Sequence, residues 1–256
     1  MELFAVDDIP EIQPGDDLAA IIRDRVDLRA DDVVCVASTV VSKAEGRLAD
    51  LDEYPAGPRA REIADRLSAL DGHDRDPRFA QAVLEESVEV IMEAPFLLTE
   101  TRFGHVGVNA GIDRSNVADS DLLLLPKRPS ESAARIQAEI PAEQVIVTDT
   151  CGRPFRYGQR GVALGWDGMP ASRDWRGQPD RDGRELGVTV QNVIDELAAA
   201  ANLVAGEGDA GTPVIVVRGF EFGEMPGSQN HFRDLSGDYV RQALRGWDYT
   251  AAGGEA

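Results

Sequence analysis

The chain has 256 residues and 43% hydrophobic residues, enough for one large domain or two intertwined smaller ones around a sizeable core. Its formal net charge of −20 would repel nucleic acid, and no apolar run reaches the length of a membrane span. The first residues lack the basic and apolar regions of a signal peptide. We therefore expect a soluble, cytoplasmic protein with neither nucleic-acid nor membrane partners.

Residue usage adds two expectations. Lys43 and Lys127 are the only lysines, and the acidic charge is spread along the chain. An acidic, lysine-poor surface is typical of proteins adapted to molar salt, so we predict a halophilic protein; a surviving lysine is then a candidate for chemistry. Cys35 and Cys151 are the only cysteines. Two unclustered thiols are more consistent with reduced side chains than with a disulfide or a zinc site.

The N-terminal elements in chain order are a short strand, a helix and a buried strand. Apolar residues at 3–6 predict the first strand, and the segment at 9–12 is extended because it contains Pro10. Asp16 or Asp17 caps a helix to about residue 26, and 33–37 is the buried strand. The strand is followed by small hydroxyl residues and a lysine, which could contact a nucleotide or equally mark a helix cap: Ser38, Thr39, Ser42 and Lys43.

The middle of the chain predicts helices, a hairpin and a second pair of polar strand-end residues. Apolar stripes predict helices at 59–70 and 77–93, and 96–109 reads as a hairpin turning at Phe103 and Gly104. Asp113 and Asn116 follow, placed like the Asp149 described below. Two such carboxylates on adjacent strands could hold a metal pair, or each could form a common Asx turn. A strand at 121–125 and a helix at 130–139 complete this part.

The stretch at 145–160 organises the chain. A buried β-branched strand runs into Asp149 and Thr150, and a loop rich in glycine, proline and arginine follows. Carboxylate and hydroxyl oxygens at a strand end suit Mg²⁺ or Mn²⁺, and arginines can hold phosphate bidentately; the loop carries Arg153, Arg156 and Arg160. The alternative is an aspartate that caps a turn and arginines that are merely solvated.

The C-terminal part contains a glycine-rich connection between a helix and a strand. We predict a short strand at 162–164, an ordered loop at 165–183, the longest helix at 184–204 and a strand at 214–217. The glycines at 206–211 match G-x-G-x-x-G, but a helix precedes them and a strand follows, so this is not a Rossmann site. No Lys-Ser or Lys-Thr pair follows, which excludes a P-loop. The connection either approaches a ligand, with Glu207 and Asp209 as oxygen donors, or is simply a turn.

Taken together, six stretches in this order resemble the coenzyme F-420-0:γ-glutamyl ligase family. They are STVVSK at 38–43, LEES at 84–87, VNAGIDRSN at 108–116, TDTCGRPFR at 148–156, GRELGVTVQNVIDELAAAANL at 183–203 and GEGDAGTPVIVVRG at 206–219. The resemblance covers residues 3 to about 219, and each stretch alone is weak. It implies an α+β fold of two intertwined subdomains, with mixed sheets and packed helices, over 1–256; the segment 220–256 has an uncertain role.

The family implies an activity and its ligands. It implies a homodimeric ligase that uses GTP to add L-glutamate to the lactyl carboxylate of coenzyme F-420-0, and then a second glutamate through a γ-linkage. It also implies two Mg²⁺ or Mn²⁺ ions per site, and K⁺. The chemistry is consistent with this, because transfer of the γ-phosphoryl group to the carboxylate gives a reactive acyl phosphate. A related ligase for another carboxylate and a non-catalytic nucleotide or deazaflavin carrier are the alternatives.

The resemblance also assigns residues. The metal ligands are Asp113, Asp149, Thr150 and Glu207. The GTP contacts are Ile9, Pro10, Glu11, Ile12, Ser38, Thr39, Lys43, Asn116, Gly206, Glu207, Gly208, Asp209, Ala210, Gly211, Thr212 and Pro213. We expect Lys43, with Arg153 and Arg156, to stabilise the transferring phosphoryl group; the arginine assignment follows from position alone.

Overall fold

The computed structural model describes residues 1–115, 117 and 120–247, so Asn116 lies outside the described residues. Its strands are β1 Glu2–Ala5, β2 Val33–Ala37, β3 Leu48–Ala49, β4 Ser87–Met92, β5 Leu98–Thr101, β6 Val106–Val108, β7 Leu122–Leu123, β8 Gln144–Cys151, β9 Arg160–Asp167, β10 Ser172–Asp174, β11 Val190–Asn192, β12 Val214–Arg218 and β13 Gly227–Ser228. Its helices are α1 Leu18–Arg23, α2 Ser38–Ala44, α3 Pro58–Asp71, α4 Pro77–Glu86, α5 Pro129–Gln137, α6 Val193–Ala205 and α7 Tyr239–Arg245. The predicted α+β class is confirmed.

The chain divides into two compact units, each built from two separate stretches. The first unit contains Met1–Gly46 and Arg128–His231, and the second contains Arg47–Lys127 and Phe232–Ala256. The segment from residue 220 onward is therefore shared between the units. None of the described helices is long and apolar enough to cross a membrane.

The first unit is organised around a five-stranded mixed sheet. Its strand order is β1-β12-β2-β8-β9, in which only β2 and β8 are parallel neighbours. The central strands of this sheet are continuously apolar because both faces of the sheet are buried. Successive side chains point to opposite faces, so each strand contributes to two hydrophobic cores. One face, with Val34, Val36 and Val145, packs with residues of α1, α2 and α5. The other face, with Val33 and Ile146, packs on α6.

Two glycines of β9 let helices approach the strand closely. A Cβ at Gly161 would lie 2.3 Å from the carbonyl oxygen of Ala198 in α6. A Cβ at Gly165 would lie 2.3 Å from the backbone of Pro129 at the start of α5. β9 therefore packs against both helices with no room for a side chain at either position. A register shift in β8 lies next to the second of these positions, because Val147 pairs with Gly165 and Thr148 pairs with Ala163.

The second unit has its own small core. Helices α3 and α4 pack there with the antiparallel sheet β4-β5-β6 and the β3–β7 pair. The Arg241 guanidinium of α7 is buried and contacts Glu89 of β4 and Glu100 of β5. The predicted hairpin around Phe103 and Gly104 is confirmed as β5 and β6.

Two predicted helices are too long. The helix predicted at 77–93 ends at Glu86, and Ser87–Met92 is strand β4. The Ser87 hydroxyl donates to the Val83 carbonyl, and the segment that follows, which is rich in β-branched residues, pairs with β5. The helix predicted at 184–204 begins only at Val193, because Asn192 caps it and Val190–Asn192 pairs with β10. With 13 residues α6 is shorter than α3, which has 14, so α6 is not the longest helix as predicted.

Candidate active site

The predicted site residues of the first unit gather at one edge of its sheet. Because β2 and β8 are parallel, their carboxyl ends lie at the same edge, with Ala37 paired to Thr148. β2 stops there and α2 begins at Ser38, whereas β8 continues to Cys151. Asp149 and Thr150 are therefore strand residues paired with β9, one and two positions beyond the last β2 pair. The sequence had placed them at the strand end.

The glycine-rich connection reaches this same edge. β12 is antiparallel to β2, so its first residue lies at the carboxyl end of β2, and the Ala37 N–H donates to the Pro213 carbonyl at 2.8 Å. Residues 206–213 therefore enter the sheet beside Ser38. Gly206 and Gly211 have φ values of 73° and 66°, in the left-handed region that favours glycine. A turn between α6 and β12 explains those two glycines. The connection nevertheless lies next to the polar residues that follow β2.

The segment at 9–12 arrives from the next strand. β1 is antiparallel to β12, and the Val6 N–H donates to the Val214 carbonyl at 2.9 Å, so the chain leaves β1 at the site edge. Glu11 then accepts a hydrogen bond from the Lys43 ammonium at 2.5 Å. The Lys43 side chain is only 12% exposed, whereas that of Glu11 is 71% exposed. A partly buried cation is thus held at the edge by one solvent-facing carboxylate, which an anionic ligand can replace or join.

The helix-cap interpretation of the hydroxyl residues is only partly correct. α2 does begin at Ser38, but its N-cap is Ala37 and no side chain caps it. Ser38 and Ser42 are buried, and Thr39 is partly buried. The lysine lies in the last turn of the helix. A helix placed directly after the strand is therefore what aims Lys43 towards Glu11.

The predicted metal ligands do not form one cluster among the described residues. No group of three or more His, Cys, Asp or Glu side chains there could hold a metal ion. Asp149 and Glu207 belong to the first unit, and the Glu207 carboxylate accepts from the Asn202 amide at 2.9 Å. Asp113 belongs to the second unit, where its carboxylate accepts from the N–H and hydroxyl of Ser115 at 2.7 Å, as in the Asx-turn alternative.

The oxygen donors on the first unit still suit a hard divalent cation. Mg²⁺ binds through one or two carboxylates and leaves its other positions to water or phosphate, so the Asp149 and Glu207 carboxylates are of the right chemical type. Adjacent strand residues project to opposite faces. Asp149 and Thr150 therefore cannot direct both side chains at one ion, and Thr150 would contribute its carbonyl oxygen instead.

The loop at 152–159 joins β8 to β9 and carries the arginines. The Arg153 guanidinium donates to the Gly158 carbonyl at 3.0 Å, which closes the loop on itself. Arg160 lies 3.7 Å from Asp195, whose carboxylate also accepts from the Ala163 N–H. Of the three arginines, the two at the loop's base are therefore engaged by the protein.

The two cysteines, Cys35 and Cys151, both have a raised thiol pKa. Burial raises the pKa of Cys35 to about 12. Burial and, secondarily, the Asp149 carboxylate raise the pKa of Cys151. Both cysteines are free. This agrees with the sequence interpretation of two reduced cysteines.

Sequence reasoning did not single out Asp195, His231, Phe155 or Tyr157. His231 lies in the first unit, with Nε2 3.1 Å from the Ala163 carbonyl and 3.7 Å from Asp195, and burial lowers its pKa. Asp195 is hidden in a helical pattern, where an acidic first turn is ordinary. The two aromatics could have been noticed, because large apolar residues without a periodic partner in a Gly/Pro loop are unusual.

The fold and the edge together define an α+β protein with a polar candidate site where the parallel strands of a mixed sheet end. The family model described as F420-0:Gamma-glutamyl ligase matches residues 8–219. The chain is 73% identical to coenzyme F420:L-glutamate ligase of Halorubrum lacusprofundi, over 97% of this chain and 99% of that protein. It is 46% identical to the protein of that name from Archaeoglobus fulgidus, over 96% and 98% of the two chains. The chain belongs to the F420-0:Gamma-glutamyl ligase family.

Proposed function

We propose that this protein is a GTP-dependent ligase that adds L-glutamate to the lactyl carboxylate of coenzyme F420-0 and then joins a second glutamate through a γ-linkage. One observation carries the proposal: the family match spans residues 8–219, and four of the segments it implies converge on one sheet edge. Those segments are 9–12, 38–43, 149–150 and 206–213. Its homodimer, its two Mg²⁺ or Mn²⁺ ions and its K⁺ are parts of the same proposal.

The chemistry requires an activated carboxylate. A lactyl carboxylate oxygen attacks the γ-phosphorus of GTP, the bond to the β-phosphate oxygen breaks, and GDP leaves with that electron pair. The glutamate amine then attacks the acyl carbon, loses a proton, and displaces inorganic phosphate to give the amide. Both steps are helped by groups that neutralise negative charge on phosphoryl oxygens.

The chain's own residues fit this work. Lys43 supplies a partly buried positive charge from the last turn of α2, and Glu11 keeps it oriented until phosphate arrives. Glycines at 206–211 let backbone N–H groups approach phosphate without side-chain interference. The acids Asp149 and Glu207 of the first unit would hold a divalent ion, and a bound ion would supply further charge neutralisation. Arg153 and Arg156 belong to the loop beside Asp149, where they add positive charge.

Mass spectrometry of coenzyme F420-0 incubated with the protein, glutamate, GTP and Mn²⁺ in molar KCl tests the proposal. We expect products heavier by one and then two glutamyl units, with one GDP released for each unit. GDP release without a glutamyl product would identify a ligase or kinase for another acceptor. Tight GTP binding with no release of GDP would support the non-catalytic carrier instead.

A further inference from the structure

The loop at 152–159 exposes two aromatic side chains to solvent. Phe155 is 99% exposed and Tyr157 is 104% exposed, which makes them the most exposed aromatic residues in the described part of the chain. Phe155 also has a φ of 66°, in the left-handed region that is unfavourable for a non-glycine residue. The loop thus exposes two aromatic rings to water, one of them on a strained backbone at Phe155.

The same loop carries a positive charge that the protein leaves available. Residues 152–160 contain three arginines and no acid, in a chain with a net charge of −20. Arg153 donates to Gly158, and Arg160 faces Asp195. Arg156 is exposed between the two rings, and no carboxylate among the described residues pairs with it. A flat aromatic ligand that carries negative charge is complementary to this tip, because rings stack and a guanidinium pairs with anions.

The strand order shows which of the two anionic aromatic substrates this loop faces. The first-unit segments proposed for GTP follow β1 and β2 and precede β12, and these three strands lie on one side of β8. The loop joins β8 to β9, on the other side of β8. Asp149 on β8 therefore lies between them. In phosphoryl transfer the attacking and leaving oxygens are roughly in line on opposite sides of the phosphorus, so the acceptor approaches from the side opposite GDP.

We propose that the 152–159 loop binds the acceptor coenzyme, with Phe155 and Tyr157 stacking on its planar deazaflavin ring and Arg156 pairing with one of its anionic groups. This inference rests on the proposed function and identifies the substrate-binding element of that site. It assigns Arg156 to the acceptor, so the positive charge that Arg156 adds in the loop after Asp149 serves the acceptor and not the phosphoryl group predicted from the sequence. Arg153 is a positioning residue, because its bond to Gly158 shapes the loop.

The test compares Phe155→Leu, Tyr157→Leu and Arg156→Gln with the wild-type protein in molar KCl. Tyr239→Leu, which removes a 78% exposed ring from α7, is the matched control. The probe is coenzyme F420-0 alone, titrated by its own fluorescence in the absence of GTP. We expect each loop variant to bind it about tenfold more weakly, the usual effect of losing one stacking ring or one charge-assisted contact. The control should bind as the wild type does, and KM for GTP should stay constant in all four.

Several results would overturn the assignment. Wild-type coenzyme affinity in all three loop variants would show that the loop does not contact the acceptor. A weaker affinity for GTP, with coenzyme binding unchanged, would place the nucleotide there. A smaller particle by light scattering, with coenzyme binding unchanged, would make the loop a contact between copies of the chain. Failure of the wild-type protein itself to bind the coenzyme would instead refute the proposed function.

Discussion

The Asp149 carboxylate lies where the parallel strands β2 and β8 end, between the segments proposed for the two anionic substrates. Replacing it with alanine removes one oxygen donor that would balance phosphoryl charge. We expect Asp149→Ala to lower kcat for GDP release and glutamyl transfer by roughly two to three orders of magnitude, as for other lost electrostatic contacts. Steady-state kinetics at ordinary Mn²⁺ concentrations measures this.

Asp31→Ala is the matched control for that variant. Asp31 is exposed and lies just before β2, at the opposite edge of the same sheet, so it has no part in the proposed site. It should keep wild-type turnover. Normal turnover in Asp149→Ala itself would refute the metal assignment, and equal losses in both variants would point to general electrostatics.

Asp32 is the charged residue whose loss should cost most stability. It is 0% exposed and receives two hydrogen bonds from Arg218, at 2.8 and 2.7 Å, and one from the Arg29 N–H at 2.8 Å. Removing one member of a buried ion pair leaves the other uncompensated. We expect Asp32→Asn to lower the free energy of unfolding by about 3 kcal/mol, measured by urea denaturation in molar KCl. An unchanged midpoint would show that the pair contributes nothing net.

The Asp32 carboxyl group also predicts that the free energy of unfolding decreases at acid pH. Burial alone would raise the pKa of Asp32, but the hydrogen bonds from Arg218 and Arg29 outweigh it, so its pKa is lowered on folding. The unfolded chain therefore binds the proton more readily, and the stabilisation is present above about pH 4 and is lost as pH falls through the folded-state value. Unfolding free energy measured against pH should fall less steeply on the acid side in Asp32→Asn than in the wild-type protein.

At the scale of elements, the packing of strand β9 against α5 and α6 requires glycine at positions 161 and 165. Valine at Gly161 or Gly165 would force α6 or α5 away from the sheet, since the backbone atoms that a Cβ would meet cannot move aside as a flexible side chain does. We expect Gly161→Val and Gly165→Val each to lower the free energy of unfolding by about 3 kcal/mol, the upper range of overpacking. Gly187→Ala, where a Cβ meets no atom within 4 Å, should change it little. Thermal unfolding of the three variants decides.

Sequence patterns predicted elements well where local and tertiary preferences agree. The strand at 33–37 has the predicted bounds, because a continuous β-branched run buried on both faces favours only one structure. At Ser87–Met92 they disagree: the apolar spacing continues the helical stripe, but pairing with β5 decides the outcome. The residues of this segment do not indicate that β5, later in the chain, will pair with it.

The site shows the same division. The sequence singled out the segments at 38–43, 149–150 and 206–213 as candidates, because polar residues and glycines next to apolar strands can be recognised without a structure. It could not show that β12 enters the sheet between β1 and β2, which is what brings 206–213 beside Ser38. It also missed the exposure of Phe155 and Tyr157, since exposure follows from packing and not from residue type.

For the whole molecule, the net charge of −20 governs the response to salt. Like charges repel in the compact state, and the screening length falls from about 10 Å at 0.1 M to about 3 Å at 1 M salt. We therefore expect the Tm to rise as KCl is increased across that range. Calorimetry at each concentration measures it, with an uncharged osmolyte at equal osmolality as the control. Full stability and activity without added salt would refute the halophilic interpretation.

The order of strands in the sheet also sets when the protein can fold during synthesis. Val36 of β2 and Thr148 of β8 are 112 positions apart, and the strand that separates β1 from β2 is made only at Val214–Arg218. A ribosome must therefore release nearly the whole chain before the first unit can close. Until then β1 and β2 have unpaired backbone edges. The nascent chain therefore either binds chaperones or must aggregate slowly for as long as translation takes.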